Sequence, residues 1–296
     1  MTRHPAPAPI KLTGAAGNAL VGDIFGDHGP PVLLLHGGGQ TRHAWRNTAE
    51  RIARAGMTAY ALDQRGHGDS DWIADGAYTF FDFAADVRLV SETLSDRVGS
   101  PPVAIGASLG GIASLLGYGA ANLAGCTPIF AALVLVDITP RVDMGGVEKI
   151  QGFMREHARE GFSSLQEAAD VVAAYLPHRP RPRSQEGLKK NLRLHPDGRW
   201  RWHWDPQFLA GPHPVGSDRA GVESALVAAA RNLAIPTLLV RGASSELVHD
   251  THVKEFLALV PHAAYADVSG ARHMVVGDRN DQFSSVIQGF LDGLER

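Results

Sequence analysis

A single cysteine, Cys126, stands in a chain of 296 residues, so no internal disulfide can form and the thiol reads as an ordinary buried side chain. Long apolar runs are missing as well, none approaching the roughly 20 residues of a membrane span. The opening Thr2-Arg3-His4-Pro5-Ala6-Pro7 lacks the apolar stretch of a secretory signal, which makes the cytoplasm the expected compartment. Nor is there an excess of one charge. With 28 Lys and Arg against 31 Asp and Glu, the formal net charge is −3, which argues against nucleic acid or an anionic membrane as partner. A small molecule is the expected ligand. His249 and His252 stand three apart without an intervening Glu in an H-E-x-x-H pattern or a third ligand nearby, so they read as solvated surface rather than a metal pair.

What the chain does have is an alternation of two patterns. Apolar runs at 31–35, 58–62, 102–105, 131–136 and 236–240, with a weaker one at 264–268, fit strands buried on both faces of a parallel sheet. Two weak strand signals at 10–13 and 19–25 flank Gly14-Ala15-Ala16-Gly17-Asn18 as in a hairpin, after a flexible Pro/Ala lead-in over 1–9. Helical patterns at 45–55, 80–94, 111–121, 251–260 and 281–294 lie between most of these runs. The alternation predicts an α/β fold whose mostly parallel sheet is covered on both sides, with its ligand beyond the carboxyl ends of the strands.

One long segment departs from the alternation. It holds helix-like stretches at 147–159 and 164–175, an Arg/Pro loop expected to be a solvated turn at 179–183, and Trp200-Arg201-Trp202-His203-Trp204. We read it as a cap, mainly helical, over 141–222, inserted into a core formed by 1–140 and 223–296. The tryptophans either pack one face onto the core or line the mouth of a capped pocket.

The most informative pentapeptide is Gly106-Ala107-Ser108-Leu109-Gly110, set between an apolar run and a helical pattern. A strand turning sharply into a helix strains its corner residue, and small flanking residues let the backbones pass. Ser108 is thereby presented as a nucleophile. The N–H of Leu109 and the new helix N-terminus face the same space, where an oxyanion would need donors.

Other strand ends carry matching chemistry. His36-Gly37-Gly38-Gly39-Gln40 follows the run at 31–35, and the Gly38 N–H is the expected second oxyanion donor. Asp63-Gln64-Arg65-Gly66-His67-Gly68-Asp69-Ser70 reads as scaffold held by local charge pairs, with His67 in a structural hydrogen bond. His273 lies directly after the last run and is the expected base, taking the Ser108 proton and returning it to the leaving group. Asp137, at the end of the 131–136 run, is the preferred orienting acid, with Glu246 in the loop after 236–240 as the alternative. Gly39, Trp202, Trp204 and Met274 are the candidate pocket residues.

In this order, His36-Gly37-Gly38, Asp63-x-Arg65-Gly66-His67-Gly68-x-Ser70, the Ser108 elbow and the late His273 resemble the α/β-hydrolase superfamily. The resemblance implies an α/β-hydrolase fold with an eight-stranded sheet and a cap after the sixth strand. That cap is similar to the branch holding epoxide hydrolases, haloalkane dehalogenases, carbon–carbon bond hydrolases and small esterases. Members of the first two groups use aspartate at the elbow, so Ser108 argues against both chemistries. The family acid usually follows the seventh strand, where this chain has Ser244, Ser245 and Glu246, while some members place it after the sixth, as with Asp137. The family histidine usually follows glycine, and here it follows Arg272. The expectation is a serine hydrolase of carboxylic esters of small, apolar or aromatic molecules, working through an acyl-enzyme without cofactor or metal. The alternatives are cleavage of a carbon–carbon bond in a vinylogous diketone by the same residues, and a non-catalytic small-molecule receptor.

Overall fold

The computed structural model describes residues 7–125, 128–179, 184–278 and 280–294. Cys126, positions 180–183 of the Arg/Pro loop and residues 1–6 of the lead-in lie outside these. Ten strands occur in the described chain: β1 Ala8–Thr13, β2 Ala19–Phe25, β3 Pro31–Leu35, β4 Thr58–Leu62, β5 Val103–Ala107, β6 Ala132–Val136, β7 Leu192–Leu194, β8 Trp200–Trp202, β9 Thr237–Gly242 and β10 Ala264–Val268. Its helices are α1 Arg46–Arg54, α2 Phe80–Val98, α3 Leu109–Leu123, α4 Met144–Glu156, α5 Leu165–Tyr175, α6 Gln207–Ala210, α7 Arg219–Arg231, α8 Asp250–Leu259, α9 Val275–Asp278 and α10 Asn280–Leu294.

Eight strands form one sheet in the order β1-β2-β4-β3-β5-β6-β9-β10. The β1–β2 and β2–β4 pairs are antiparallel and every other pair is parallel. β1 begins inside the stretch expected to be a flexible lead-in: Pro9 pairs with Asp23. The sheet edge tolerates it, because a proline there need not donate to a second neighbour.

The interior strands read as continuous apolar runs because both faces are covered, and their residues sort by parity. Leu33, Leu35, Ala104, Leu133 and Leu135 join Phe83, Leu94, Leu115 and Leu116 of α2 and α3 in one core. Val32, Leu34, Val103, Ile105, Val134 and Val136 join Trp45, Ile52, Phe283, Ile287 and Leu291 around α1 and α10 in the other.

The segment between β6 and α7 carries α4, α5, the β7–β8 pair and α6. The helical pattern at 147–159 is offset from α4, which starts at Met144 behind an Asp143 cap. The tryptophan cluster contains a strand, β8, that pairs antiparallel with β7, so this mainly helical segment includes a small ribbon. Its far boundary, read at 222/223 from sequence, falls within α7.

The charged loop 63–70 pairs outward more than within itself. Arg65 donates to both oxygens of Asp86 on α2 at 2.6 Å and to the Ala77 carbonyl at 3.0 Å, while Asp86 accepts the Ala15 N–H at 2.7 Å. Both side chains are almost wholly buried. Removing one partner of such a pair leaves the other charge uncompensated. Arg65→Met is therefore expected to lower the unfolding free energy in urea by about 3–5 kcal/mol. Arg54→Met, at an exposed i,i+4 pair, should change it by less than about 1 kcal/mol.

Candidate active site

The site forms where the chain reverses its direction of building across the sheet. β3 and β5 are neighbours, but β4 lies on the far side of β3, so the loops after β3 and β5 diverge and leave a crevice. Register aligns Leu35 with Gly106 and Ala107 with Val136, bringing the loops after β3, β5 and β6 side by side.

Ser108 occupies the corner between β5 and α3 with φ 46° and ψ −109°. Its flanking glycines permit the turn: a Cβ on Gly106 would lie 2.4 Å from the Gly110 carbonyl, and one on Gly110 would lie 2.4 Å from that of Leu35. Asp137 ends β6 in a second corner, with φ 51°. These are two of the three non-glycine residues with positive φ among the described residues. Each such corner costs on the order of 1–3 kcal/mol.

Asp137 and His273 come together and Glu246 takes another place. His273 Nδ1 lies 2.7 Å from Asp137 Oδ2. Asp137 is fully buried and accepts two more hydrogen bonds, from the Gly242 N–H at 2.9 Å and the Ser245 hydroxyl at 2.5 Å. The Glu246 carboxylate instead accepts the His273 backbone N–H at 3.4 Å. Because a carboxylate accepts, His273 Nδ1 is the donor in this contact and Nε2 is left as the ring's other nitrogen.

In the glycine loop, Gly37 through Gln40 close a turn through Gln40 N–H to Gly37 O at 3.1 Å, with Gly39 at φ 76°. The N–H groups around the crevice divide into two sets. Those of Gly37, Gly39 and Ser108 are engaged by Gln40 Oε1, His67 Nε2 and Val136 O at 3.2, 3.1 and 3.1 Å. Among the described residues, the N–H groups of Gly38 and Leu109 have no acceptor.

Two buried histidines support this loop, a role for His36 that the sequence did not suggest. His67 Nδ1 faces the Arg65 carbonyl at 2.9 Å, so it carries the proton, and Nε2 accepts from Gly39. His36 repeats the scheme, with Nδ1 on the Gly37 carbonyl at 2.8 Å and Nε2 accepting the Gln64 N–H at 3.0 Å. Complete burial pushes His67 down to about 3, with the nearby His36 adding to the effect, and pushes His36 down to about 4.

Above these groups lies a cavity of about 860 Å³. Ser108, His273, Gly38, Leu109 and Glu246 line it, as do all four candidate pocket residues, Gly39, Trp202, Trp204 and Met274. Most of its wall is apolar, supplied by Ile112, Ile138, Val147, Phe153, Val172 and Leu226 among others. Residues missed by sequence reasoning press on the glycine loop: a Cβ on Gly38 would meet Phe208 at 3.2 Å, and one on Gly39 would meet Met154 at 2.8 Å. His249 and His252 contact each other through the His249 N–H and His252 Nδ1 at 3.0 Å. Among the described residues, no group of three or more His, Cys, Asp or Glu is placed to hold a metal ion. No helix among them is long and apolar enough to cross a membrane.

A family model described as the alpha/beta hydrolase fold matches residues 30–279. The chain belongs to the α/β-hydrolase family. It is 30% identical over 298 residues to the esterase Rv0045c of Mycobacterium tuberculosis, covering 97% of this chain and 90% of that protein. A solved structure of that esterase superposes with a TM-score of 0.74 at 27% identity, over 98% of this chain and 94% of the other. The structure of E-2-(acetamidomethylene)succinate hydrolase superposes with a TM-score of 0.82, covering 97% of this chain and 100% of that one, and at 23% identity it shows the shared fold alone.

The buried histidines make stability depend on pH. Above their unfolded value of 6.5, neither state binds a proton there, whereas below it the unfolded imidazoles charge and the folded ones do not. Stability is thus lost as pH falls from 6.5 towards about 4 for His36 and about 3 for His67. Each histidine should remove about 2 kcal/mol between pH 7 and pH 5. Urea unfolding at the two pH values is expected to show a drop smaller by that amount in His67→Gln.

Proposed function

We propose that this chain hydrolyses carboxylic esters of small, apolar or aromatic molecules through a covalent intermediate on Ser108. The observation that carries the reading is the 2.7 Å contact of His273 Nδ1 with the buried Asp137 carboxylate, on the wall of the cavity that Ser108 also lines. The similarity to an esterase over nearly the whole chain supports the same class.

In this mechanism Ser108 Oγ attacks the ester carbonyl carbon as its proton passes to His273 Nε2. The imidazolium is held by Asp137, and the oxyanion takes the N–H groups of Gly38 and Leu109. Collapse of the tetrahedral species breaks the bond to the alkoxy oxygen, which leaves as the alcohol with the His273 proton. Water then attacks the acyl-enzyme, giving its proton to His273, and the second collapse returns that proton to Ser108 as the acid departs. The apolar wall favours a neutral, bulky acyl or alcohol group.

A p-nitrophenyl ester should give a burst of p-nitrophenol matching the enzyme concentration, and Ser108→Ala should abolish it. No burst, together with no covalent labelling by a fluorophosphonate, would overturn the reading. For the acid, Asp137→Asn is expected to lower kcat by about 10³–10⁴-fold, since the imidazole loses its orienting acceptor. Glu246→Gln should keep kcat within about tenfold, because one long hydrogen bond to a backbone N–H is all that changes. The reverse order in steady-state kinetics would move the acid to Glu246.

A further inference from the structure

In the loop after β9 a hydroxyl, not a carboxylate, meets the acid. Ser245 Oγ lies 2.5 Å from Asp137 Oδ2, the same oxygen that faces His273. The N–H groups of Leu247 and Val248 both point at Ser245 Oγ, each at 3.1 Å. A serine hydroxyl has two lone pairs and one proton. With both lone pairs occupied by N–H donors, the proton has Asp137 as its partner. The direction of this hydrogen bond follows from counting donors and acceptors.

We propose that Ser245 is a positioning residue for the hydrolytic reaction, fixing the plane of the Asp137 carboxylate so that Oδ2 is aimed at His273 Nδ1. The proposal rests on the reading of Ser108, His273 and Asp137 as the catalytic groups. Its physical basis is the softness of a carboxylate torsion. Rotation about the terminal sp³–sp² bond of Asp is broad and roughly two-fold, so the backbone corner at Asp137 does not by itself orient the oxygens. Two donors from one short stretch set that angle: the Gly242 N–H holds Oδ1 at 2.9 Å and Ser245 holds Oδ2. The turn through Leu247 and Val248 in turn anchors Ser245.

Ser245 acts through Asp137 and His273 and is absent from the lining of the cavity. It should influence proton transfer and leave ground-state binding alone. In a hydrogen bond whose strength falls steeply as its angle closes, a swing of the carboxylate weakens the hold on His273 without moving Ser108.

The test uses the full chain with a p-nitrophenyl ester, in wild type, Ser245→Ala and Ser245→Thr, each titrated for reactive Ser108 with a fluorophosphonate. For Ser245→Ala, kcat per titrated site should fall about tenfold with KM within about twofold of wild type. Ser245→Thr, which keeps the hydroxyl, should recover most of the lost kcat. Should Ser245→Ala not fold, Ser245→Cys supplies a near-isosteric weak donor judged by the same criteria. An active, labelled wild type whose Ala or Cys variant keeps kcat per site within twofold overturns the proposal alone. So does a loss confined to the number of titratable sites, or a Thr variant as slow as Ala. A wild type that neither labels nor turns over ester defeats the underlying catalytic reading, and the proposal with it.

Discussion

One buried carboxylate organises the structure around it. Asp137 has no contact with solvent, and a charge removed from water is costly unless donors replace its hydration. The three donors come from the end of β9, the loop beyond it and the loop after β10: Gly242, Ser245 and His273. All three lie more than 100 residues from Asp137 along the chain. The sheet order β6-β9-β10 is therefore the condition for burying this charge, and the charge in turn ties the last third of the chain to the centre. The edge strand β10, exposed along much of its length, is further secured by Arg241, which bonds Asp267 at 2.7 Å and also pairs with Asp250.

Around the carboxylate, strain and close packing are arranged in layers. The corners at Ser108 and Asp137 adopt conformations that side-chain-bearing residues avoid, and they sit at the ends of strands buried on both faces. The glycine loop beside them is clamped from two directions. His67 holds the Gly39 N–H from the core, while Phe208, Met154 and Trp204 approach Gly38 and Gly39 from the segment between β6 and α7. Thr41, just beyond the loop, bonds Asn191 Oδ1 at 3.2 Å, adding a polar tie to the same segment. On the proposed reading, a loop clamped from both sides keeps its N–H groups oriented without needing to reorganise when a negative oxygen forms.

The parts of this arrangement that the sequence revealed are those encoded over short distances. The elbow was legible because strand, glycine, serine, glycine and helix follow one another within a few residues. The buried parallel strands were legible from their composition and a mostly parallel α/β sheet from their alternation with helices, while the α/β-hydrolase fold came from the resemblance carried by the motifs at 36–38, 63–70, 106–110 and His273. The support for Asp137 was not legible, because serines abound and nothing in Ser244-Ser245-Glu246 marks which one turns inward. Glu246 attracted notice as an ionisable group, yet its contact with the His273 backbone depends on how two loops cross. His36 was visible only as the head of a glycine loop, since its acceptor role requires Gln64 from a different loop. The β7–β8 ribbon escaped because three-residue strands leave almost no periodicity to read.

The apolar cavity gives these constraints a chemical direction. Several of the charges that line it are engaged: Arg141 pairs with Glu223 and Glu255, Arg179 donates to the Met274 carbonyl at 3.2 Å, and Glu246 accepts from the His273 N–H. Apolar walls distinguish ligands weakly, at roughly 1–3 kcal/mol per methylene, so on the proposed reading selectivity comes from bulk and shape. On the proposed reading, an apolar ester that fills this space displaces water and strengthens the dipoles that face Ser108. On the proposed reading, a wall poor at discrimination and a crevice rich in preorganised donors fit one another: broad acceptance of apolar esters, with the rate set by how firmly Asp137, His273 and the N–H groups of Gly38 and Leu109 are held.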